Sequence, residues 1–587
     1  MATLQPAASE FLFRAPRQDG WLYFPKPEKI FAIFDLEQVL PVLQAVETAV
    51  ENNQKFAAGW VSYEAAPAFD HSYQVKKTFE NAFPLLWLAI YPTAVYIPDS
   101  AITIDSSQLP GPWQADLTKT DFRKAIRKIK TYIAKGATYQ VNYTYRLRSS
   151  FNVPAWPLFA SLSNAHVAPY TAFLETEEFA VCSLSPELFF DLEGETITSR
   201  PMKGTARRGR TLAEDNRMAA WLRHSVKNRA ENVMIVDMMR NDIGKIAHPG
   251  SVCVPELFTV EKYPTVWQMT STVQGKTSAS LAEIFGALFP AASITGAPKI
   301  RTMQMITELE DSPRKIYTGA IGYYAPGRKA CFNVAIRTLW IDKIRQQVEY
   351  GVGGGIVWDS RPMAEWEETK TKARLLEEIP QPFALLETLR WSPEEGWFLL
   401  HQHLKRLKSS ANYFSYPVNI SEIRSRLFGL EKSFPKDEAQ RVRLTVRKNG
   451  EICVEYQGLL IHQSAYRVNI AKKPINSSER FLYHKTTRRE IYEKARAEIA
   501  DCDDVLMWNE HHEITESSIA NVVVEQDGNW YTPPVKCGLL PGIYRAWLLD
   551  QKKVQEQIIN LDNLFDYERI FLVNSVRGMW EIKLKRS

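Results

Sequence analysis

The sequence predicts a multidomain α/β protein of the α+β type, and three observations carry that expectation. A chain of 587 residues exceeds one ordinary domain. Strand-like and helix-like stretches are mixed without the regular β-α-β spacing of a parallel, doubly wound sheet. Two prolines in Glu377-Glu-Ile-Pro-Gln-Pro382 end a helix and impose a short, extended connection. One unit is therefore expected over residues 1–379, a linker at 380–382 and a second unit over 383–587.

Asp121 to Ala134 sets apolar residues at helical spacing among lysines and arginines, which predicts a basic amphipathic helix, and a strand over Tyr139–Leu147 follows it. Leu188–Leu192 and Thr196–Ser199 read as a hairpin turned at Glu193-Gly194. A symmetric ladder sets Glu187 opposite Arg200, with Lys203 about three residues along, at most about 10 Å of strand away. Leu212 to Met239 reads as one long helix that runs on into the glycine at 244. After Gly351-Val-Gly-Gly-Gly355 a helix is expected with Ser360 as N-cap and Pro362 in its first turn, running toward Glu378. The second unit should open with a strand over Phe383–Leu389, a turn at Pro393–Gly396 and a helix around His403–Leu407. Strands near Arg441–Val446 and Ile452–Tyr456 should then pair across Asn449-Gly450. No repeat of about 20 to 50 residues is present, which excludes a solenoid.

Composition narrows the class. Hydrophobic residues make up 45% and charged residues 24%, proportions of a globular protein with an ample core. A net charge of +5, with acids and bases interspersed, gives no nucleic-acid footprint. The six cysteines are scattered, without a C-x-x-C pair or a close Cys/His cluster, so reduced thiols are expected rather than zinc or disulfides. The first thirty residues lack the apolar run of a signal peptide, and no stretch reaches the roughly 18 apolar residues of a membrane span. No membrane association and a cytoplasmic location are the expectations.

Lys203 and Glu187 are the first candidate catalytic residues. A lysine whose pKa is lowered by desolvation or a nearby cation is a nucleophile, and a glutamate beside it can protonate a departing oxygen. Glu365 and Glu368 stand three apart on one helix, where two carboxylates repel unless a cation lies between them. Mg²⁺ takes one or two such ligands together with substrate oxygens, and Glu231 on another helix offers a further one. The glycine run nearby presents backbone N–H groups suited to a carboxylate.

Seven segments occur in order: Tyr139-Gln-Val-Asn, Ser183-Leu-Ser-Pro-Glu, Pro201-Met-Lys-Gly-Thr, Ala230 to Asp242, Ser293-Ile-Thr-Gly-Ala-Pro-Lys299, Gly353-Gly-Gly-Ile-Val and Glu365-Trp-Glu-Glu-Thr369. Over about residues 60–378 the chain resembles the chorismate-utilising enzymes. The resemblance implies a two-layered fold with the active site between its sheets, Mg²⁺ on Glu231 and Glu368, and Glu365 close by. It also implies that Arg337 grips a substrate carboxylate, with Thr295, Gly353 and Gly354 in substrate-binding motifs. Members that add water to chorismate have a lysine where this chain has Gln140, and anthranilate synthases have a small residue where it has Lys203. A lysine at that position resembles component I of aminodeoxychorismate synthases. It implies that Lys203 attacks C2 of the ring, Glu187 protonates the departing 4-hydroxyl, and ammonia enters at C4. Gln268 stands where many relatives have histidine. The chain carries no Gly-x-Cys-x-Gly nucleophile turn, so a separate glutamine amidotransferase subunit is the expected ammonia source.

The second unit carries Tyr483-His-Lys-Thr-Thr487, Glu513 to Asn521, and Gly538-Leu-Leu-Pro-Gly-Ile-Tyr-Arg545. Pyridoxal phosphate needs a lysine, an acid beside the pyridine nitrogen and a cup of backbone N–H groups for its phosphate. Lys485, Glu516 and the turn Leu540-Pro-Gly542-Ile543 supply one of each. Residues 383–585 resemble fold-type IV pyridoxal phosphate enzymes, the group of branched-chain and D-amino acid aminotransferases and 4-amino-4-deoxychorismate lyase. That resemblance implies a two-subdomain unit in which Lys485 bears the cofactor, Arg406 meets the phosphate, and Ser518 and Asn521 lie in the cofactor loop. Tyr544 replaces a threonine that touches the phosphate in many relatives. Dimers are common in that group, so a homodimer through the second unit is expected by analogy. The leading reading is a bifunctional enzyme making 4-aminobenzoate for folate by amination of chorismate and then elimination of pyruvate. The competing readings are an anthranilate-type synthase fused to an aminotransferase, and a synthase with a non-catalytic C-terminal module.

Overall fold

The computed structural model describes residues 4–15, 19–77, 83–102, 109–376, 381–459, 466–499 and 502–585. Glu377 to Pro380, which include the first residue of the expected linker, lie outside the described residues. The chain separates into two units, one comprising Met1–Ala206 with Trp221–Gln381 and the other Arg207–Ala220 with Pro382–Ser587.

The first unit is built on two ten-stranded sheets. In one, Gln140–Ser150 pairs with Gln347–Ile356, setting Gly353 opposite Thr144 and Gly355 opposite Asn142. In the other, Met202–Arg207 is an edge strand beside Val266–Lys276, and the hairpin of Thr196–Arg200 and Leu188–Glu193 comes next. Alternation along the strands decides which side chains face inward. Phe11, Phe13 and Trp340 of the first sheet meet Trp60 and Trp87 of the second in one buried cluster. The outer faces are covered by helices: Leu36–Asn53, Val226–Gly244 and Leu281–Leu288 on one sheet, and Lys119–Ala134, Ala155–Ala165 and Pro362–Ala373 on the other. Each large apolar side chain so enclosed contributes roughly 1.5–3 kcal/mol.

Local chemistry explains where the elements start and stop. Thr118 Oγ1 accepts from the Asp121 amide at 3.2 Å and starts the basic helix. The single helix expected over Leu212–Met239 is two helices, Leu212–His224 and Val226–Gly244. Ser225 stands between them in an extended conformation and caps the second through the Asn228 amide at 3.5 Å. The helix after the glycine strand starts at Pro362 with Arg361 as N-cap, not Ser360, and its α-helical part ends at Ala373. The Ser360 hydroxyl instead accepts from the Val357 amide at 3.2 Å, closing the preceding turn. In the hairpin Leu188, one residue from expectation, lies opposite Arg200, because a bulge falls between Leu188 and Asp191. Lys203 is not on that hairpin strand. Proline 201 interrupts the ladder, and Met202–Arg207 continues as a strand of its own.

The second unit combines a four-stranded sheet, which includes Leu385–Ser392 and Gln440–Val446, with an eight-stranded mixed sheet. The helices Leu400–Phe414 and Ile420–Glu431 pack on the smaller sheet through Leu404, Leu407, Ile423 and Leu427. The Asn449-Gly450 hairpin forms as expected, with the Gly450 amide on the Arg447 carbonyl at 2.9 Å. Among the described residues no helix is long and apolar enough to cross a membrane.

Candidate active sites

Lys203 reaches from the edge of one sheet toward the glycine strand of the other. A Cβ built on Gly355 would stand 2.8 Å from Lys203 Nζ and 3.1 Å from Gln140 Cδ. A side chain at position 355 would require the Lys203 amine and the Gln140 amide to give way, and the two sheets converge there on one amine. Gln140 is buried, and its Nε2 is a donor without a partner beside the same niche.

Dehydration lowers the pKa of Lys203, and the nearby Lys372 lowers it further, while Glu187, Glu231 and Glu368 oppose the shift. Glu187 is pushed up to about 7 by burial, against the Ser293 hydroxyl, Lys203 and the Met202 amide. A weakly basic amine and a weakly acidic carboxyl thus share one electrostatic environment. The strand that bears Lys203 is held on both sides. Asn232 Nδ2 donates to the Lys203 carbonyl at 3.4 Å, Gln268 Nε2 to the Gly204 carbonyl at 3.0 Å, and the Thr205 hydroxyl to Gln268 Oε1 at 3.0 Å. Gln268 here is a clamp on the residues that follow Lys203.

The three expected metal ligands lie on two helices. Glu365 and Glu368 sit on Pro362–Ala373, and Glu231 on Val226–Gly244. Burial raises Glu365, and the charge on Glu368 adds to the rise; Lys372 holds Glu368 down. Lys372 Nζ pairs with Glu368 at 2.9 Å and donates to the Gly353 carbonyl at 2.8 Å, while Lys227 faces Glu231 at 3.8 Å. Among the described residues no three His, Cys, Asp or Glu side chains converge closely enough to enclose an ion. The oxygen-only donor set fits a hard cation that completes its shell with water and substrate oxygens. Arg337 is half-buried in the left-handed region (φ 51°); its carbonyl accepts from the Leu184 amide at 3.0 Å, and its side chain makes no hydrogen bond or ion pair among the described residues. Thr295 is fully buried, and its hydroxyl is engaged by the Ala291 carbonyl at 3.1 Å.

In the second unit Lys485 lines a cavity of about 720 Å³. Burial lowers its pKa to about 8, with Arg406 and Arg489 acting in the same direction and Glu387 and Glu516 against it. Glu516 is buried and pushed up to about 7, although the Leu540 amide, the Tyr492 hydroxyl and Lys485 favour its charge. Its oxygens accept from Tyr492 at 2.8 Å, Leu540 N at 3.1 Å and Asn521 Nδ2 at 3.2 Å. A carboxylate fixed in this way and short of charge compensation suits a protonated ring nitrogen. Arg406 makes a forked pair with Glu387 at 2.9 and 2.7 Å, and His403 Nδ1 meets the same carboxylate at 2.7 Å. Despite burial, these two partners hold Glu387 down to about 2. The remaining Arg406 contact is the Pro541 carbonyl at 3.3 Å, which ties it to the turn that continues into Gly542 and Ile543. Gly542 starts the helix Ile543–Asp550 without a side-chain cap, so the first N–H groups of the helix have no such acceptor beside a cavity that Leu540, Gly542 and Ile543 line. Amine, acid and anion cup share one cavity, and pyridoxal phosphate fits that donor set. Ser518 Oγ is engaged by Asp504, and Tyr544 stacks on Trp547 with ring centroids 5.4 Å apart.

The family described as chorismate binding enzyme matches residues 8–378, well over half of the sequence. The chain belongs to the chorismate binding enzymes. Residues 384–584 of this chorismate binding enzyme match a second family, amino-transferase class IV. Aminodeoxychorismate synthase component 1 of Salmonella typhimurium is 42% identical over 267 residues, 45% of this chain and 58% of that protein. Anthranilate synthase component 1 1 of Haloarcula marismortui is 40% identical over 268 residues, 45% of this chain and 54% of that protein. The chain thus spans less than two thirds of the length of either relative. Anthranilate synthase component I from Streptococcus pneumoniae shares the fold at 21% identity and a TM-score of 0.53, covering 64% of this chain and 94% of that one.

In this chorismate binding enzyme the structure brings Lys203, Glu187, Gln140, Gly355 and Lys372 into one site, and Lys485, Glu516, Asn521, Arg406 and the Leu540–Ile543 turn into another. Sequence reasoning missed Lys372, Asn232, Glu387, His403 and Tyr492. Two had a local signal: Lys372 is four residues after Glu368, and His403 three before Arg406, the spacings that share a helix face. Glu387 and Tyr492 reach their partners only through tertiary packing.

Proposed function

We propose that this chain aminates chorismate to 4-amino-4-deoxychorismate at Lys203 and then releases pyruvate from it at Lys485 to give 4-aminobenzoate. The observation that carries the reading is Lys203 itself, an amine with lowered proton affinity beside Glu187, a carboxyl raised to about 7. Identities of 42% and 40% to relatives named for two different aminations do not separate those activities. Lys203 does, because the resemblance gives anthranilate synthases a small residue there.

In this reading Lys203 Nζ bonds to ring C2 as the C4–O bond breaks, and Glu187 supplies the proton with which that oxygen leaves as water. Ammonia then bonds to C4 and the bond from C2 to Lys203 breaks, restoring the amine. Arg337 binds one substrate carboxylate. Mg²⁺ held by Glu231 and Glu368, with Glu365 close, supplies charge compensation for another when bound. Gly353 and Gly354 line the glycine strand at the substrate, and Thr295 shapes the adjoining loop. Ammonia comes from a separate glutamine amidotransferase subunit.

At the second site pyridoxal phosphate supplies an electron sink when bound. Lys485 takes the proton from C4 of the amino compound, the C3–O bond breaks, the ring aromatises, and the released enol takes up a proton to become pyruvate. Glu516 would face the cofactor's pyridine nitrogen and favour its protonated form, and Asn521 and Tyr492 keep Glu516 in place. Arg406 and the Leu540–Ile543 turn bind the phosphate, and Ser518 braces the loop through Asp504.

The test is incubation of the protein with chorismate, an ammonium salt, Mg²⁺ and pyridoxal phosphate, resolving products by mass and retention. Equimolar 4-aminobenzoate and pyruvate are expected. Anthranilate would replace this reading with the anthranilate-type one, and accumulated aminodeoxychorismate would leave the second half without its proposed reaction.

A further inference from the structure

The segment Arg207–Ala220 lies in the chorismate binding half of the sequence yet belongs to the second unit. It is internally braced. Arg208 makes a forked, buried pair with Asp215, both bonds at 2.8 Å, and the Gly209 amide donates to the same carboxylate at 2.9 Å. A Cβ on Gly209 would stand 2.1 Å from the Asp215 nitrogen, so the turn closes only on glycine. Its outer face meets two regions that adjoin Lys485. Arg208 Nη2 donates to the Tyr413 carbonyl at 2.9 Å and its guanidinium lies 4.6 Å from the Tyr413 ring, while the Tyr413 hydroxyl donates back to the Gly209 carbonyl at 2.7 Å. Arg210 Nη1 donates to the Tyr483 hydroxyl at 3.2 Å.

His484, the neighbour of Lys485 in sequence, is gripped from both sides. Its Nε2 is 3.1 Å from the Arg210 carbonyl and its Nδ1 is 3.0 Å from the Ser410 hydroxyl, with the Tyr413 ring 4.3 Å away. A carbonyl only accepts, so Nε2 carries the hydrogen. Burial holds the imidazole pKa down to about 4, so the ring is neutral and Nδ1 accepts from Ser410. The turn itself is tied down by the Tyr483 amide on the Arg480 carbonyl at 3.1 Å and the Leu386 amide on the Lys485 carbonyl at 3.0 Å. We propose that Arg207–Ala220 is a positioning element of the second site: through Tyr413, Tyr483 and His484 it fixes the turn from which Lys485 enters the cavity. The proposal rests on the reading of Lys485 as the cofactor lysine for its catalytic meaning, and on geometry alone for the positioning.

The test is amide hydrogen exchange on the full chain without added cofactor, following peptides over 481–487 and, as reference, 140–150. In Arg208→Ala the 481–487 amides should exchange about tenfold faster, and in Tyr413→Phe about threefold faster, as lost hydrogen bonds lower the local opening free energy. The reference peptide should stay within about twofold. His484→Gln, which keeps a donor for the Arg210 carbonyl and an acceptor for Ser410, should restore the protection that His484→Ala loses. Exchange of 481–487 unchanged in Arg208→Ala, Tyr413→Phe and His484→Ala alike would overturn the proposal. If Arg208→Ala speeds exchange in both peptides, Tyr413→Phe decides. With pyridoxal phosphate added, the pH midpoint of the visible band on Lys485 should shift in the same variants. A wild-type chain that shows the exchange pattern but takes up no cofactor would leave the positioning standing and remove the reading of Lys485.

Discussion

Lys203 and Lys485 are both dehydrated amines facing a glutamate whose pKa burial has raised to about 7, but their surroundings differ. Around Lys203 the second influence is another lysine, Lys372, balanced by Glu187 from a loop and Glu231 and Glu368 from two helices. Around Lys485 it is Arg406, itself paired with Glu387, while Glu516 accepts three hydrogen bonds from protein donors. The Arg337 side chain, moreover, makes no hydrogen bond or ion pair among the described residues of the first unit. Beside Lys203 the neighbouring charges are Lys372 and three carboxylates, whereas beside Lys485 Arg406 is already paired with Glu387 and further arginines, Arg489 among them, line the cavity. Under the proposed function one device, a dehydrated lysine, serves attack on carbon in one setting and proton transfer in another, with the neighbouring charges making the difference.

The largest effects should come from removing each amine. Lys203→Ala is expected to lower amination of chorismate by at least about a thousandfold, as loss of a covalent nucleophile does. Turnover of supplied aminodeoxychorismate should be unchanged, and full amination by the variant would remove the covalent role. Lys485→Ala should reverse the pattern, so that aminodeoxychorismate accumulates and no cofactor band forms; undiminished 4-aminobenzoate would merge the two sites into one.

A smaller effect separates the niche from the cavity. Gly355→Ala forces a methyl against Lys203 Nζ and Gln140, and amination should fall about 10- to 100-fold, the range a misplacement of about 1 Å can produce. The rate of the reaction proposed at Lys485 serves as the internal control.

The pH dependence should also differ between the sites. In its proposed role Glu187, raised to about 7, is an acid in its protonated form, so the amination rate should fall as pH rises through about 7, and Glu187→Gln should abolish that limb. Lys485, lowered to about 8, becomes a free amine as pH rises, so the cofactor uptake rate should increase through about 8. Stopped-flow absorbance and product assays across pH 6 to 9 check both signs, roughly the window bracketing the two groups. The smallest change is expected from Tyr492→Phe, which removes one of three donors to Glu516 and should slow the lyase about three- to tenfold, the worth of one buried hydrogen bond.

Much of this was legible in the sequence because it is local. The basic helix before Ala134, the hairpin at Glu193-Gly194 and the turn at Asn449-Gly450 follow from periodicity and turn chemistry, and all three form. The two lysines could be singled out from the motifs around them. Other features depend on partners remote in sequence. Lys203 lies on a separate edge strand because Pro201 ends the hairpin ladder, and Ser225 breaks a helix whose propensity alone favours continuity. The approach of Gly355 to Lys203 joins strands from different sheets, and Tyr492 reaches Glu516 across 24 residues. No window of neighbouring residues encodes those contacts.

The chain enters the second unit at Arg207, returns to the first at Trp221 and crosses for the last time at Pro382. The proline-rich junction is therefore not a seam. A gene split there, or a protease nick, would give two polypeptides of which the second lacks a piece of its own interior, the one that carries Arg208, Gly209 and Asp215. Fusion of this kind is not undone by cutting where the two family matches meet. Two separately made halves should recover the reaction proposed at Lys485 only when the first polypeptide is present to lend its loop.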